Sequence, residues 1–244
     1  MSLFSLRESY RALVFGTSGG VGGALVGALA ADPRSAVVHA AARRPLEASP
    51  KVVPLAFALE EEASIAACVE TAAANGPLDL VIVATGLLHD GAIQPEKTWR
   101  ALDAEALTRA FAVNAIGPAL VAKHALDRLP REGKAVFAAL SARVGSISDN
   151  RLGGWHAYRA SKAALNMLVK TCAIELARRN PQAVCVTLHP GTVDTALSAP
   201  FQSSRRGGLF TPDESATHLL RVIDGLNGAD SGSLVSWDGR EIPF

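Results

Sequence analysis

The sequence has 244 residues, of which 49% are hydrophobic, and its 24 Lys and Arg residues nearly balance 23 Asp and Glu residues. This length and composition predict one domain with a large buried core. The lack of a basic tract in the sequence argues against nucleic-acid binding, and no apolar run reaches the roughly 20 residues of a membrane-spanning helix.

Short β-type runs alternate with longer helical patterns along the whole chain. The β-type runs cover residues 12–15, 36–41, 52–55, 78–84, 135–139, 183–188 and 233–236, and the helical patterns cover residues 20–31, 61–74, 104–129, 155–179 and 212–226. Because helical connections between successive strands make those strands parallel, this alternation predicts an α/β fold. We expect a doubly wound, Rossmann-type parallel sheet of about seven strands, with helices on both faces.

We expect residues 1–244 to form a single domain, since no second boundary is visible. The only linker-like stretch lies late in the chain and is polar. The segment over about residues 195–211 is therefore a candidate substrate-side lid, and a plain surface loop is the alternative.

A glycine-rich turn follows the first predicted strand and leads directly into the first helix. Glycine lets the backbone bend sharply and approach a pyrophosphate, whose charge is stabilised by the free N–H groups of a helix N-terminus. The spacing is Gly-x-x-x-Gly-x-Gly rather than the Gly-x-Gly-x-x-Gly dinucleotide motif, so a purely structural turn is the alternative. The candidate cofactor-binding residues in this turn are Gly16, Ser18, Gly19, Gly20, Val21 and Gly22.

The residues after the second predicted strand bear on the choice of cofactor. An Asp or Glu at this position binds the ribose 2′-OH of NAD, whereas Arg offers paired donors to a 2′-phosphate. This sequence has Arg43 and Arg44 here and no carboxylate beside them. The pair favours NADP(H) over NAD(H), and a solvated basic turn is the alternative.

Tyr158 and Lys162 are four residues apart on the helix predicted over residues 155–179, so they share a helix face. A phenol in water has a pKa of about 10, and a neighbouring ammonium favours the phenolate. We therefore expect Lys162 to lower the pKa of Tyr158 and to prepare it for general acid–base catalysis. Such a pair also occurs by chance on exposed helices.

Asn114 lies four residues before Pro118, which has no N–H to donate to the Asn114 carbonyl. A kinked helix with a free carbonyl follows. This carbonyl would hold a water molecule that links Lys162 to solvent. A kink that only improves packing is the alternative.

Taken together, these motifs resemble those of the short-chain dehydrogenase/reductase family over nearly the whole chain. The matching features are the glycine turn, Asn114, Ser141, the Tyr158–Lys162 pair and the segment Pro190-Gly191-Thr192-Val193-Asp194-Thr195. The resemblance implies that Ser141 orients and polarises a substrate carbonyl and that Tyr158 supplies its proton. It also implies that Lys162 binds the nicotinamide ribose and that Asn114 supports a proton relay.

The resemblance extends to the chain segments that follow the fourth and sixth predicted strands. The further cofactor-binding residues that it implies are Ala84, Gly86, Pro190, Gly191, Val193 and Thr195. Trp155 and His156 precede Tyr158 and are candidate substrate-side residues, although either could simply pack. For the catalytic serine, Ser141 is favoured, with Ser146 and Ser148 as alternatives.

The segment between Ser141 and Tyr158 and the ending Ser236-Trp237-Asp238-Gly239 look similar to one branch of the family, the C-factor and Sniffer-type carbonyl reductases. Membership implies NADPH-dependent reduction of an aldehyde, ketone or quinone, or oxidation of the corresponding alcohol, but it names no physiological substrate. The alternative function is an NADP(H)-binding sensor or signalling protein with little turnover.

Two further expectations concern assembly and compartment. The helix over residues 155–179 is apolar around much of its circumference, which favours a homodimer or higher homo-oligomer.

The three cysteines, Cys68, Cys172 and Cys185, are odd in number and widely spaced, a pattern typical of reduced thiols rather than of disulfides or a zinc site. No secretory signal is visible at the start of the sequence. We therefore expect a cytoplasmic protein without a bound metal.

Overall fold

Eight strands form one sheet in the computed structural model of the chain, which describes residues 2–91, 93–202 and 208–244. The sheet order is β3-β2-β1-β4-β5-β6-β7-β8, and all neighbouring strands are parallel except β7 and β8. The strands are β1 (Tyr10–Phe15), β2 (Ser35–Ala42), β3 (Val52–Ala56), β4 (Leu80–Val83), β5 (Val136–Leu140), β6 (Val184–His189), β7 (Leu234–Ser236) and β8 (Glu241–Ile242).

Helices cover both faces of this sheet. They are α1 (Gly20–Ala31), α2 (Glu62–Ala73), α3 (Ala104–Phe111), α4 (Gly117–Ala125), α5 (His156–Arg179) and α6 (Pro212–Gly225). One buried apolar cluster joins Ala12 and Val14 of β1 to α1 and α6, and the other joins Leu13 and Phe15 to α2, α4 and α5. This arrangement confirms the predicted doubly wound α/β fold. Among the described residues, no helix is long and apolar enough to span a membrane.

The helix predicted over residues 104–129 is divided in the structure. After α3, a wider π-helical turn covers Ala112–Ile116, and α4 begins with Pro118 in its first turn. Because Pro118 cannot donate an N–H to the preceding turn, the regular hydrogen-bond ladder cannot continue through this point. The predicted kink therefore takes the form of a π-helical turn. Strand β8 was not predicted, since two residues are too few to show a periodic pattern.

The direction of the chain connections changes between β1 and β4. Strands β2 and β3 lie on one side of β1, whereas β4 to β7 follow in order on its other side. In open α/β sheets, a crevice forms at the carboxyl ends of the strands at such a switch point. The glycine turn after β1 and the segments after β4, β5 and β6 all meet there.

His39 is a buried titratable side chain within β2. It is 6% exposed, and neither ring nitrogen has a hydrogen-bond partner in the described part of the chain. Burial, followed by the charge of Arg11, lowers the pKa of His39 from 6.5 to about 4. His39 is therefore neutral in the folded protein at pH 5, whereas in the unfolded chain it is protonated.

We expect the free energy of unfolding to fall as the pH is lowered from about 6.5 towards 4, because the unfolded chain then binds a proton that the folded chain does not. The loss should reach about 2 kcal/mol at about pH 5. His39→Leu should remove this contribution, as measured by urea unfolding at about pH 7.5 and about pH 5. An equal fall in both proteins would contradict the assignment to His39.

Candidate functional site

A cleft of about 910 Å³ opens at the carboxyl ends of the parallel strands. Its walls come from the turn after β1, from the segments after β4, β5 and β6, and from the start of α5. The structure brings most of the predicted site residues together in these walls. They are Gly19, Gly20, Val21, Gly22, Ala84, Gly86, Ser141, Trp155, Tyr158, Lys162, Pro190, Gly191, Val193 and Thr195.

The other predicted site residues do not line the cleft. They are Gly16, Ser18, Arg43, Arg44, Asn114 and His156. Gly16 forms the base of the glycine turn, and Ser18 is exposed on it. His156 is the first residue of α5 and is half-buried.

The glycine turn has no space for side chains at two of its positions. Gly16 has φ +85°, and a Cβ there would lie 2.9 Å from the main chain at Ala84 and Thr85. A Cβ on Gly22 would lie 2.3 Å from the Gly16 carbonyl oxygen. The helix α1 that follows has neither a capping side chain nor an acidic residue in its first turn. Its first N–H groups are therefore suited to an anionic ligand.

The polar groups of the cleft also suit a phosphate-containing ligand. The Thr85 hydroxyl lies at the cleft wall and is buried without a hydrogen-bond partner within the described chain. Arg143 and Lys162 bring positive charge to the lining, and none of the described lining residues is a carboxylate. A dinucleotide fits this combination of free donors, cationic side chains and glycine turn.

The end of β2 is joined directly to the glycine turn. The Ala41 carbonyl accepts from the N–H groups of Gly16 and Thr17, at 2.9 and 3.2 Å. Arg43 and Arg44 follow at once and are exposed. Neither forms an ion pair with any described residue. Their charges are therefore free to pair with an anion bound beside the turn.

Tyr158 and Lys162 face the cleft from successive turns of α5. Lys162 is 2% exposed, its Nζ donates a 2.8 Å hydrogen bond to the Leu140 carbonyl, and it lies 5.9 Å from the centre of the Tyr158 ring. Gly86 lies beside the ammonium, since a Cβ there would be 3.8 Å from Nζ. The phenol and the ammonium are thus held together in one largely desolvated region.

Burial sets the protonation of both groups. It raises the pKa of Tyr158 to about 12 and lowers the pKa of Lys162 to about 7, although part of Tyr158 can be reached from the cleft. Desolvation of the phenolate opposes the lowering of the Tyr158 pKa that we expect from Lys162, and the effect of Lys162 on Tyr158 stays a prediction. Tyr158 carries its proton at neutral pH.

Asn114 is buried beside Gly86 and outside the cleft wall. Its amide exchanges two 2.8 Å hydrogen bonds with the backbone of Leu87 and donates a third, of 3.0 Å, to the Ser161 hydroxyl. The Asn114 side chain thus joins the segment after β4 to α5. The role of its main-chain carbonyl in a proton relay stays a prediction.

Of the three candidate serines after β5, only Ser141 lines the cleft with Tyr158. The Ser146 hydroxyl donates instead to the Pro243 carbonyl, and Ser148 is exposed. The structure therefore brings Ser141 to Tyr158 and places Ser146 and Ser148 elsewhere.

An aromatic wall stands next to Tyr158. The Trp155 ring packs edge to face against Tyr158, with 6.3 Å between centroids, and against Phe201, at 5.2 Å. Phe201 in turn contacts His89 at 5.5 Å. Sequence reasoning missed Phe201 and His89, because isolated rings in loops give no periodic signal.

The candidate lid over about residues 195–211 borders the cleft on both sides of a gap in the described chain. Two main-chain hydrogen bonds close its base. The Phe210 carbonyl accepts from the Asp194 N–H at 2.8 Å, and the Phe210 N–H donates to the Thr192 carbonyl at 2.9 Å. Residues 203–207 of the predicted lid lie outside the described residues. Its role as a lid stays a prediction.

Glu96 fixes the start of α5, and its role was not foreseen. Trp155 directly before the helix has φ 52° and ψ 43°, a left-handed conformation that is uncommon outside glycine. Its N–H donates to the Glu96 carbonyl, and the 5% exposed Glu96 carboxylate accepts from the Ala157 N–H at 3.2 Å. A carboxylate at a helix N-terminus is favourably placed relative to the helix dipole. These contacts hold Trp155 beside Tyr158.

Asn166 is a second residue that sequence reasoning missed. It lies four residues after Lys162, and its Oδ1 accepts a 2.7 Å hydrogen bond from the Ser141 hydroxyl. Its helical spacing from Tyr158 and Lys162 was the one feature of the sequence that could have identified it as a site residue.

Comparison with known sequences gives matches over most of the chain. The sequence profile described as short chain dehydrogenase matches residues 10–206. The protein named C-signal from Myxococcus xanthus is 37% identical over 173 residues, which cover 70% of this chain and 95% of that protein.

Solved structures with the same fold cover nearly the entire chain. The NADPH-bound carbonyl reductase from chicken fatty liver has a TM-score of 0.83 at 24% identity, and the match covers 99% of this chain and 97% of that one. The carbonyl reductase Sniffer of D. melanogaster has a TM-score of 0.81 at 22% identity, covering 98% of this chain and 100% of that one. At these identities the likeness shows a shared fold.

Proposed function

This chain belongs to the short-chain dehydrogenase family and is an oxidoreductase, and from that premise we propose that it reduces a carbonyl group with NADPH. The matches to the family profile and to C-signal confirm the family that the motifs indicated, and the likeness to C-signal supports the predicted branch. The observation that carries the proposal is the presence of Ser141, Tyr158 and Lys162 in one cleft with the glycine turn. The substrate class is an aldehyde, ketone or quinone, or the corresponding alcohol in the reverse direction.

In this proposal the chain's own residues bind the cofactor and handle the proton. The first turn of α1, together with Arg43, Arg44 and Lys162, would hold NADPH, which supplies a hydride to the carbonyl carbon when bound. Tyr158 donates the proton to the carbonyl oxygen, since its pKa of about 12 keeps it protonated at neutral pH. Ser141 contacts and orients the same oxygen.

Lys162 is the group through which we expect Tyr158 to regain its proton. Its pKa of about 7 lets Lys162 gain and lose a proton near neutrality. The main-chain carbonyl of Asn114, four residues before Pro118, would hold the water that connects Lys162 to solvent.

The substrate side of the cleft lies at the aromatic wall of Trp155 and Phe201. Flat rings there suit an apolar body attached to the reacting carbonyl. His156 beside Trp155 stays a candidate substrate-side residue, and the segment over about residues 195–211 is the proposed lid.

Tyr158→Phe removes the proton donor and keeps the ring. We expect turnover of NADPH with a panel of aldehydes, ketones and quinones to fall by about 100-fold or more, while NADPH affinity stays within about threefold. NADPH absorbance follows turnover, and NADPH fluorescence measures binding.

The matched control for this variant is Tyr10→Phe. Tyr10 is the other of the two tyrosines, and its hydroxyl donates a 2.9 Å hydrogen bond to Asp32 away from the cleft. Tyr10→Phe should keep its turnover. Equal losses in both variants would contradict proton donation by Tyr158, and tight NADPH binding by the wild type without any turnover would favour the sensor.

Arg43→Asp tests the choice of cofactor. Because the variant loses charge-assisted hydrogen bonds to the 2′-phosphate, we expect NADPH affinity to fall by about 10- to 100-fold and NADH affinity by less than about threefold. Fluorescence titration measures both affinities. Arg131→Asp, an equal charge change on an exposed residue before β5, should alter neither. Equal losses for the two cofactors would exclude the proposed role.

We also propose a homodimer formed through the outer face of α5. Met167, Leu168 and Ile174 are 66%, 38% and 53% exposed there. Contact with a second copy would remove these side chains from water. Light scattering should give twice the 25.4 kDa of one chain, and Met167→Lys with Ile174→Lys should give the monomer mass. A monomeric wild type would contradict this assembly.

We place the protein in the cytoplasm. All three cysteines are free thiols, and Cys68 and Cys185 are buried. Unpaired cysteines fit a reducing compartment.

A further inference from the structure

We propose that Asn166 is a positioning residue that holds the Ser141 hydroxyl in place for the reaction. Ser141 and Asn166 are 4% and 2% exposed, and the Ser141 hydroxyl donates a 2.7 Å hydrogen bond to Asn166 Oδ1. Asn166 continues the row of Tyr158 and Lys162 on α5, since the three residues are spaced by four. This role rests on the proposed carbonyl reduction.

The orientation of the Asn166 amide is set from its other side. Its Nδ2 donates to the Gly145 carbonyl at 3.4 Å, so the reversed amide would place two oxygen atoms against each other. Gly145 itself is fixed against α5, because a Cβ there would lie 2.8 Å from Lys162 Cβ. Oδ1 of Asn166 therefore points at Ser141.

This contact determines what Ser141 offers to the cleft. A serine hydroxyl can donate one hydrogen bond and accept two, and the Ser141 hydroxyl donates its one hydrogen bond to Asn166 Oδ1. The Ser141 oxygen is thus held at one rotamer beside the cleft, where its O–H group, by turning about the Cβ–Oγ bond, would redirect its hydrogen bond from Oδ1 to a carbonyl oxygen bound in the cleft. Without an acceptor at position 166, the hydroxyl could rotate among its staggered positions. The effect of Asn166 on the reaction must therefore pass through Ser141.

A double-mutant cycle tests this dependence. Asn166→Leu keeps a similar size without an acceptor, and we expect kcat for carbonyl reduction to fall by about tenfold while KM for NADPH changes by less than about twofold. In a Ser141→Ala background, the same substitution should change kcat by less than about twofold, because no hydroxyl remains to be held. A general packing role would lower kcat equally in both backgrounds.

Asn166→Asp provides a second variant with a pH signature. A protonated carboxyl can donate to Gly145 and accept from Ser141, as the amide does, whereas the ionised form sets a negative charge against the Gly145 carbonyl. We expect kcat of this variant to be close to that of the wild type at low pH and to fall as the carboxyl ionises. Thr71→Ala, on the exposed side of α2, is the control that keeps the wild-type profile.

Three outcomes would overturn the role of Asn166. Equal losses from Asn166→Leu in both backgrounds, or an Asn166→Asp profile parallel to that of the wild type, would overturn this role alone. No turnover by the wild type with any carbonyl substrate would overturn the proposed function as well.

Discussion

The cleft depends on the close contact between α5 and the segment after β5. Gly145 lies so near Lys162 that a Cβ would be 2.8 Å from its side chain, and Lys162 in turn donates to the last residue of β5. This contact leaves one face of α5 directed at the carboxyl ends of the strands. The same face presents Tyr158, Lys162 and Asn166, so a single helix positions the phenol, the ammonium and the partner of Ser141.

Close packing also decides the electrostatics of the site. Desolvation opposes the charged form of each group, so it keeps Tyr158 protonated and brings the pKa of Lys162 to about 7. A neutral phenol is the form that donates a proton to a carbonyl oxygen. Besides Arg143 and the partly charged Lys162 in the lining, positive charge for an anionic cofactor comes from the exposed Arg43 and Arg44 and from the N-terminus of α1.

The fold and the outline of the cleft could be predicted from the sequence because they depend on patterns. Hydrophobic runs and helical periodicity predicted the parallel sheet. Most of the site residues follow strand ends in the sequence, which predicted that they meet at one edge of the sheet. The π-helical turn at Ala112–Ile116 could not be predicted. Pro118 shows that the helical hydrogen-bond ladder must be interrupted, but it does not show which local conformation replaces it. The spacing of Tyr158 and Lys162 predicted that the two side chains lie close together, but it did not predict that burial shifts their pKa values. Asn166 appeared as one polar residue in an apolar helix, and only its contact with Ser141 reveals its environment.

The most direct measurement follows deuterium from the cofactor into the product. Wild-type protein is supplied with an aldehyde or ketone substrate and with NADPH that is deuterated at both nicotinamide C4 positions. It should convert the substrate to an alcohol with one deuterium on the former carbonyl carbon. Tyr158→Phe, with the same cofactor bound, should give at least about 100-fold less of it. Mass spectrometry of the alcohol measures both. An unlabelled alcohol, or none at all from wild-type protein saturated with NADPH, would contradict carbonyl reduction in this cleft.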